Sequence, residues 1–245
     1  MVSDLTFVVG RDVNTGEEVR VGLTPNLFIV GDDANDRVAM IRSITNQLTH
    51  DSGPEELKFV VVDTKNTAPS SFCDLPHLIW PVIEGAEGFL ETLKRLEREV
   101  DARYELIRQT RGCNSAQAYN QKYPNKMPPI IVVIDDLADI MRPMCDAATE
   151  LSWFFLKYQR ASDVHFIIGA TAWEGFVKWD AMETCPIALR QKAVFLPMSR
   201  KENCRVFYDF DNDSEFTGFD ERQGYYWDNC GAGKLRKFDF LRIGA

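Results

Sequence analysis

The residues best suited to chemistry follow four short apolar runs of the sequence. The runs end at Gly31, at Asp63, at Asp135-Asp136 and at Gly169-Ala170-Thr171. These residues are acidic or small, so the chemistry available there is that of carboxylates and accessible backbone groups. Because ligands of open α/β sheets bind beyond the carboxyl ends of the parallel strands, we expect a ligand site of this chain at these four positions.

The apolar runs themselves predict the elements that position these residues. They are rich in β-branched residues and do not alternate with polar ones, which is typical of strands buried on both faces of a parallel sheet. The four runs are Leu27–Val30, Phe59–Val62, Ile130–Ile134 and Phe166–Ile168. Helical periodicity lies between them, over residues 38–48, 86–108 and 147–159. Strands alternating with helices predict a doubly wound α/β fold.

Composition narrows the class of protein further. The 245 residues are 45% hydrophobic and 27% charged, which is typical of a globular chain. The formal net charge of −9 counts against a free nucleic-acid binder, although a ring-shaped motor can carry a local basic patch. No apolar stretch approaches the roughly 20 residues needed to span a bilayer, and no signal peptide is expected. The six cysteines are widely scattered, which favours reduced thiols over disulfides or a zinc site.

Both ends of the sequence predict antiparallel additions to this core. Residues 5–9 and 18–21 alternate apolar and polar side chains around a turn at Asn14-Thr15-Gly16. Residues 224–227 and 237–241 flank a turn-rich segment, which indicates a second hairpin. We therefore expect residues 1–26 to form a hairpin lead-in and residues 27–245 to form one compact unit.

Several segments, in the same order along the chain, resemble FtsK/SpoIIIE-type DNA translocases. Residues 27–44 resemble the strand, P-loop and helix of that family, and residues 54–65 with 74–83 resemble its second strand and D-L-P-H-L segment. Residues 103–120 resemble its R-R-Y-E-L…N…Y-N helix and loop, and residues 130–141 (I-I-V-V-I-D-D-L-A-D-I-M) its Walker B strand. The resemblance implies a RecA-like P-loop core, usually assembled into hexameric rings, which conjugative coupling proteins and type VII secretion motors share.

The stretch matching the family's nucleotide loop departs from the pattern G-x-x-x-x-G-K-[ST]. Asp36 replaces the second glycine, and Arg37 replaces the lysine that reaches the phosphates. Val38 replaces the Ser or Thr whose hydroxyl binds magnesium. The resemblance thus implies a degenerate nucleotide-binding set, which comprises Gly31, Asp32, Asp33, Ala34, Asn35, Asp36, Arg37 and Val38.

Carboxylates in this loop oppose nucleotide binding. Asp32, Asp33 and Asp36 would lie beside an anionic triphosphate, and each like-charge contact near 4 Å costs roughly 1 kcal/mol in water and about 4 at intermediate dielectric. We expect Asp36, or Asn35 beside it, to cap a helix that begins near Arg37, so that a carboxylate takes the place of a phosphate. The alternative is a nucleotide loop that tolerates unusual residues.

The Walker B match is closer. Asp135 corresponds to the family's magnesium-associated carboxylate, and Asp136 stands where the family has a catalytic Glu that orients water. Asp is one methylene shorter than Glu, and a misplacement of about 1 Å can cost about 10²-fold in rate. Both are therefore weak candidates, and the alternative is two acidic residues that end a buried strand. The family's A-T-Q-R-P segment reads Ala170-Thr171-Ala172-Trp173-Glu174 here, which lacks the sensor Gln.

Three further features have a structural and a functional interpretation. Arg160 matches a basic position near the family's subunit boundary and is a candidate for contact with a neighbouring subunit's nucleotide, and its alternative is a solvated helix end. Lys65 matches the lysine of the family's D-P-K segment, or is a loop residue. An apolar partner-docking patch is the third feature, with ordinary core packing as its alternative, and it comprises Trp173, Phe176 and Trp179 together with Met182.

Together these departures predict a degenerate FtsK/SpoIIIE-like ATPase domain with weak or no ATP hydrolysis. We expect it to be a partner-binding or regulatory module of a translocation or secretion motor, associated with other motor domains or proteins, in a homo- or hetero-oligomeric ring. No cofactor is expected to be required, and ATP with Mg²⁺ is expected to bind weakly. The alternatives are an active ATP-dependent DNA translocase and a nucleotide-binding switch without turnover. We expect a cytoplasmic location, with tethering to a membrane complex through other domains or partners left open.

Overall fold

The computed structural model describes residues 5–24, 26–64, 70–124, 127–141, 161–170, 192–198, 216–228 and 235–240. Within these residues ten strands form one sheet. In chain order the strands are β1 (Thr6–Asp12), β2 (Glu18–Gly22), β3 (Asn26–Val30), β4 (Lys58–Asp63), β5 (Ile83–Glu84), β6 (Ile130–Ile134), β7 (Val164–Ala170), β8 (Lys192–Phe195), β9 (Gln223–Asp228) and β10 (Leu235–Asp239).

The sheet has a parallel part and an antiparallel part. The strand order across it is β2-β1-β10-β9-β8-β3-β7-β6-β4-β5. Strands β8, β3, β7, β6, β4 and β5 pair in parallel, whereas β9, β10, β1 and β2 pair antiparallel. This is the α/β fold that the alternation of strands and helices predicts, and the four predicted strands are β3, β4, β6 and β7.

Helices cover both faces of the parallel part, which explains why its strands are mainly apolar. The helices described are α1 (Ala34–Asp51), α2 (Ser70–Cys73), α3 (Gly85–Gln109), α4 (Ala116–Lys122) and α5 (Leu137–Met141). One core layer joins alternate strand residues such as Phe28 and Val30 to α3 and α5. The other layer joins Leu27 and Ile29 to α1. A strand buried on both faces has no polar side to show.

Helix bounds differ from the predicted ones in a systematic way. The predicted helix at 38–48 extends over Ala34–Asp51, and the one at 86–108 over Gly85–Gln109. Three of the four extra residues at the start of α1 are polar (Asn35, Asp36 and Arg37), so the apolar periodicity cannot report them. The third predicted helix, at 147–159, lies outside the described residues.

Both predicted hairpins are present, and both belong to the same sheet. β1 pairs with β2, β9 pairs with β10, and β10 pairs with β1. The carboxamide of Gln47 on α1 bonds both backbone groups of Val8, donating to its carbonyl oxygen and accepting from its N–H, each at 2.9 Å. Lys192 Nζ donates to the carbonyl oxygen of Gly22 at 2.7 Å. The division into residues 1–26 and 27–245 stays a prediction.

Candidate functional site at the carboxyl edge of the sheet

The predicted strand ends meet at one edge of the parallel sheet. In register, Val30 lies beside Ala170, Ile134 beside Ile168, and Val62 beside Ile134. The loops that follow β3, β4 and β6 therefore begin side by side, as the topology of a parallel sheet requires. The residues that bring chemistry to this edge are Gly31, Asp32, Asp33, Arg37, Thr64, Asp135 and Asp136.

The loop after β3 leads directly into α1, and its cap corrects the predicted one. Asp33 has extended backbone dihedrals (φ −80°, ψ 119°), and its carboxylate accepts a bond from the Asn35 N–H at 2.7 Å. Asp33 therefore caps α1, whereas Asp36 lies in the first helical turn and Asn35 only donates to the cap. The predicted acidic cap is correct in kind but wrong in position, because the helix begins at Ala34 rather than near Arg37.

The side chain of Arg37 fills the interior of this loop. One terminal nitrogen, Nη1, donates to the carbonyl oxygens of Gly31 at 2.7 Å and of Asp32 at 3.3 Å. The other, Nη2, donates to Oδ2 of Asp136 at 2.7 Å. We call these four residues the Arg37 cluster. It links the end of β3 and the first turn of α1 to the end of β6, 99 residues away in sequence.

Burial makes this ion pair unlike an ordinary surface salt bridge. The side chains of Arg37 and Asp136 expose only 2% and 3% of their surface. Asp136 Oδ1 also accepts a bond from the Ala138 N–H at 3.1 Å, so both carboxylate oxygens are engaged. A charge this deep is costly without its counter-ion, and each partner therefore depends on the other to remain buried.

Asp135 is held separately, by residues at the end of β4. Its Oδ1 accepts bonds from the Thr64 N–H at 3.0 Å, the Thr64 hydroxyl at 2.9 Å and the Asp136 N–H at 2.8 Å. Burial raises the pKa of Asp135 above its usual value, and repulsion from Asp63 adds to this, while the bonds from Thr64 and Asp136 oppose it. We call Asp135 and Thr64 the Asp135 cluster.

The remaining loop positions are arranged around the Arg37 cluster. Ala34 and Asn35 are exposed, and Val38 is half-buried on α1 without an oxygen to offer. Gly31 lies against Leu196, and a Cβ at this position would come within 2.9 Å of the Leu196 Cβ. Side-chain bulk is therefore excluded at Gly31, which accounts for this one glycine of the pattern.

Thr64 and Leu196 follow from no motif, and the sequence places Gly169 at a strand end without indicating the close approach that it allows. Thr64 binds Asp135, Leu196 packs against Gly31, and Gly169 allows the end of β6 to approach β7, since its Cβ would lie 1.9 Å from the Asp135 carbonyl oxygen. Thr64 directly follows β4, whereas the predicted strand stops at Val62, one residue before β4 ends. A predicted strand one residue longer would have identified Thr64 as the first residue after it. Leu196 follows β8, which the sequence analysis did not predict.

Several candidates lie outside the described residues. They are Lys65, Arg160, Thr171 and Ala172, together with the predicted docking patch of Trp173, Phe176, Trp179 and Met182. Each of these assignments stays a prediction.

The described residues fit a magnesium–triphosphate poorly. The guanidinium of Arg37 takes up the loop interior, Val38 offers no hydroxyl, and both oxygens of Asp136 are engaged. Asp135, which matches the family's magnesium-associated carboxylate, already accepts three hydrogen bonds at its Oδ1. Among the described residues, no His, Cys, Asp or Glu group has the arrangement of a metal site, and no helix is long and apolar enough to cross a membrane.

Curated proteins of similar sequence are DNA translocases. DNA translocase FtsK of Leptospira interrogans is 28% identical over 179 residues, which are 67% of this chain and 18% of that protein. DNA translocase FtsK of Helicobacter pylori is 28% identical over 172 residues, which are 68% of this chain and 20% of that protein. The chain thus spans about a fifth of the length of the curated relatives it matches.

Solved structures of similar fold include secretion and conjugation proteins. The cytoplasmic domain of the Thermomonospora curvata type VII secretion ATPase EccC superposes with a TM-score of 0.76 at 19% identity, over 98% of this chain and 29% of that one. The pCW3 conjugation coupling protein TcpA, solved with ATPγS, superposes with a TM-score of 0.72 at 16% identity, over 99% of this chain and 67% of that one. At such identities the likeness shows the fold alone.

The sequence model of the FtsK/SpoIIIE family matches residues 2–174, which include β3, the loop of Arg37, the Asp135-Asp136 pair and β7. The chain therefore belongs to the FtsK/SpoIIIE family, and its fold is that of a RecA-like motor domain.

Proposed function

We propose that this chain is a motor domain of the FtsK/SpoIIIE type that no longer depends on ATP hydrolysis and acts as a partner-binding or regulatory module. The observation that carries the proposal is the Arg37–Asp136 ion pair. In active relatives the corresponding positions handle the phosphates and the attacking water. Here the two side chains bind each other, both nearly completely buried, at 2.7 Å.

The charge and chemistry of the neighbouring residues support the same conclusion. Asp32, Asp33 and Asp36 add negative charge to a loop that would have to accept a triphosphate. Asp33 already occupies the helix end where a phosphate would be bound. Each departure from the family pattern is tolerable alone, but Asp36, Arg37 and Val38 are three departures in one loop, and all three oppose the same ligand.

The relatives' names indicate the kind of assembly such a module would serve. The EssC structure from Geobacillus thermodenitrificans carries ATPases 2 and 3 in one chain, and it superposes with a TM-score of 0.73 at 17% identity. We propose that this chain works beside other motor domains or protein partners in a translocation or secretion machine. A cytoplasmic location follows from this role, with attachment to a membrane complex through partners.

Turnover measurements test the loss of hydrolysis. Phosphate release from Mg-ATP should be indistinguishable between the wild-type chain and Asp135→Ala, and isothermal titration should show no micromolar Mg-ATP binding. Steady wild-type turnover that Asp135→Ala abolishes would disprove the proposal. Ring assembly should be checked in the same samples, because such motors complete their sites between subunits.

A second candidate is an active DNA translocase, which the similarity to the FtsK proteins favours. The same assay with duplex DNA separates the two. A translocase shows DNA-stimulated turnover, whereas the module shows none with or without DNA. For the module, co-purification with motor subunits of its own cell should persist when ATP is depleted.

A further inference from the structure

We infer that Asp136 is a built-in anion for Arg37, so that its carboxylate occupies from within the protein a position where Arg37 would otherwise bind an oxyanion. The inference rests on the proposed function. It identifies the Asp136 carboxylate as the group that binds Arg37 in the degenerate loop instead of a ligand. It assigns a latent oxyanion site whose resident occupant is a side chain of the same chain.

The hydrogen bonds that the Arg37 guanidinium donates are the first observation behind the inference. Its Nη1 is satisfied by two main-chain carbonyl oxygens of the loop, which have no charge to neutralise the guanidinium. Its Nη2 binds the single carboxylate, and its Nε is buried without a hydrogen-bond partner among the described residues. A guanidinium offers five donors in a fixed fork, and a carboxylate bound through one oxygen leaves part of that fork unused.

The position of the Arg37–Asp136 ion pair is the second observation behind the inference. Asp136 comes from the end of β6, across the crevice from the first turn of α1. The backbone N–H groups of that turn and the helix dipole favour negative charge there. The cap carboxylate of Asp33 satisfies one of these N–H groups, and the charged pair supplies the anion for the buried cation beside them.

Removing the carboxylate should therefore uncover the site. In Asp136→Ala the guanidinium remains buried and loses its counter-ion, which is costly until another anion replaces it. The nearby carboxylates of Asp32, Asp33 and Asp36 keep the affinity for such an anion low, because like charges repel. The probe is inorganic phosphate, because it is small and presents several oxygens to the fork.

The experiment measures thermal unfolding of the full chain against phosphate concentration, with sodium chloride at matched ionic strength as the salt control. Asp136→Ala should bind phosphate at least about 10-fold more tightly than the wild type. The gain should disappear in Arg37→Met/Asp136→Ala. Asp163→Ala, which removes another buried carboxylate, bonded to His165 at 2.9 Å, should show no phosphate-specific gain.

The outcomes separate cleanly. Equal phosphate responses in the wild type and a folded Asp136→Ala would overturn the inference, as would a gain that survives in the double variant. If Asp136→Ala does not fold, Asp136→Asn keeps the shape without the charge and should show the same gain, and its absence there counts equally against the inference. Wild-type ATP turnover would refute the proposed function without affecting this comparison.

Discussion

The two edges of the parallel sheet each contain a buried arginine, and they use it differently. At the carboxyl edge, Arg37 binds the carbonyl oxygens of Gly31 and Asp32 and the buried carboxylate of Asp136. At the amino edge, Arg103 of α3 donates to the carbonyl oxygens of Ser162 and Pro128, each at 2.9 Å. Both side chains thus hold main-chain segments that precede or follow strands.

The difference lies in the counter-ion. Arg103 pairs with Glu99 at 2.9 Å, one turn earlier on α3, and the Glu99 side chain is 46% exposed. Arg37 pairs with a carboxylate that is only 3% exposed. Water can take the place of the half-exposed Glu99 carboxylate beside Arg103, but not of the buried Asp136 carboxylate beside Arg37. Arg103 therefore depends little on its counter-ion, whereas Arg37 and Asp136 depend on each other to remain buried.

The comparison also explains a segment of the family resemblance. The motif at residues 103–120 supplies the amino edge rather than a ligand site, because Arg103 binds carbonyl oxygens and Asn120 exchanges two hydrogen bonds with Met127. The motif residues Arg103 and Asn120 therefore hold neighbouring chain segments together at the amino edge. The departures from the family pattern lie at the carboxyl edge.

The two edges should differ most in the stability that is lost when the counter-ion of each arginine, Asp136 or Glu99, is removed. Asp136→Ala should lower the free energy of unfolding by about 3–5 kcal/mol, because it leaves a buried guanidinium unpaired. Glu99→Ala should cost at most about 1 kcal/mol, since its pair is half-exposed. Urea unfolding measures both. Equal costs at the two edges would show that burial of the counter-ion is not what distinguishes them.

Close packing at the carboxyl edge gives the next largest effect. Gly169→Ala places a Cβ 1.9 Å from the Asp135 carbonyl oxygen, so β6 and β7 must move apart, at a cost of about 1–3 kcal/mol. The control is Gly53→Ala in the loop before β4, where the nearest atom to a Cβ is a Glu56 oxygen at 3.8 Å. A well-tolerated Gly169→Ala would contradict the described approach of the strand ends.

The identity of the α1 cap can be tested by substituting the two acidic residues that compete for it. Asp33→Ala should cost about 1 kcal/mol, because it removes the bond to the Asn35 N–H. Asp36→Ala should cost less, about 0.3–1 kcal/mol, which is the range for an acidic residue in the first turn of a helix. Chemical denaturation gives both values, and the reverse order would restore the cap that the sequence predicts.

The smallest effect is a pH dependence with opposite signs at two aspartates. Burial raises the pKa of Asp135, so the folded state favours its neutral form, and its contribution to stability is lost as pH rises through the folded-state pKa. Asp135→Asn should therefore gain stability relative to the wild type as pH increases from about 4. The readout is the free energy of unfolding across this range.

Asp12 supplies the control of opposite sign. Burial alone would raise its pKa, but hydrogen bonds from the N–H groups of Thr15 and Asn14, together with Arg236, lower it overall. Its contribution to stability is present at neutral pH and is lost as pH falls through the folded-state pKa. Asp12→Asn should thus lose stability at pH 7 and match the wild type in acid. A flat difference for either variant would contradict the described environment.

The sequence alone predicts the parallel core because the patterns that indicate its strands and helices each lie within one short segment. Continuous β-branched runs indicate β3, β4, β6 and β7, and amphipathic spacing indicates the long helix α3. β8 is absent from the predicted strands although residues 193–196 are a short apolar run. The two-residue β5 is too short for any periodicity to show.

The site is less predictable because it depends on contacts across the chain. The resemblance identifies Arg37 and Asp136 as altered positions, but their ion pair joins residues 99 apart and has no local signature. The sequence predicts the cap of α1 at Asp36 or Asn35, two or three residues beyond Asp33, because the first turn of the helix has no apolar periodicity. The departures from the family pattern are therefore visible in the sequence, whereas the contacts that these residues make are visible only in the fold.

The exchange of hydrogen bonds between Gln47 and Val8 has a mechanical consequence. Gln47 lies ten residues, or about 15 Å, along α1 from Arg37, so a single stiff rod connects the first strand of the sheet to the buried ion pair. A displacement of β1 is therefore transmitted along this helix to the Arg37–Asp136 ion pair. The position of the amino-terminal hairpin and the geometry of the loop after β3 are thus coupled through α1.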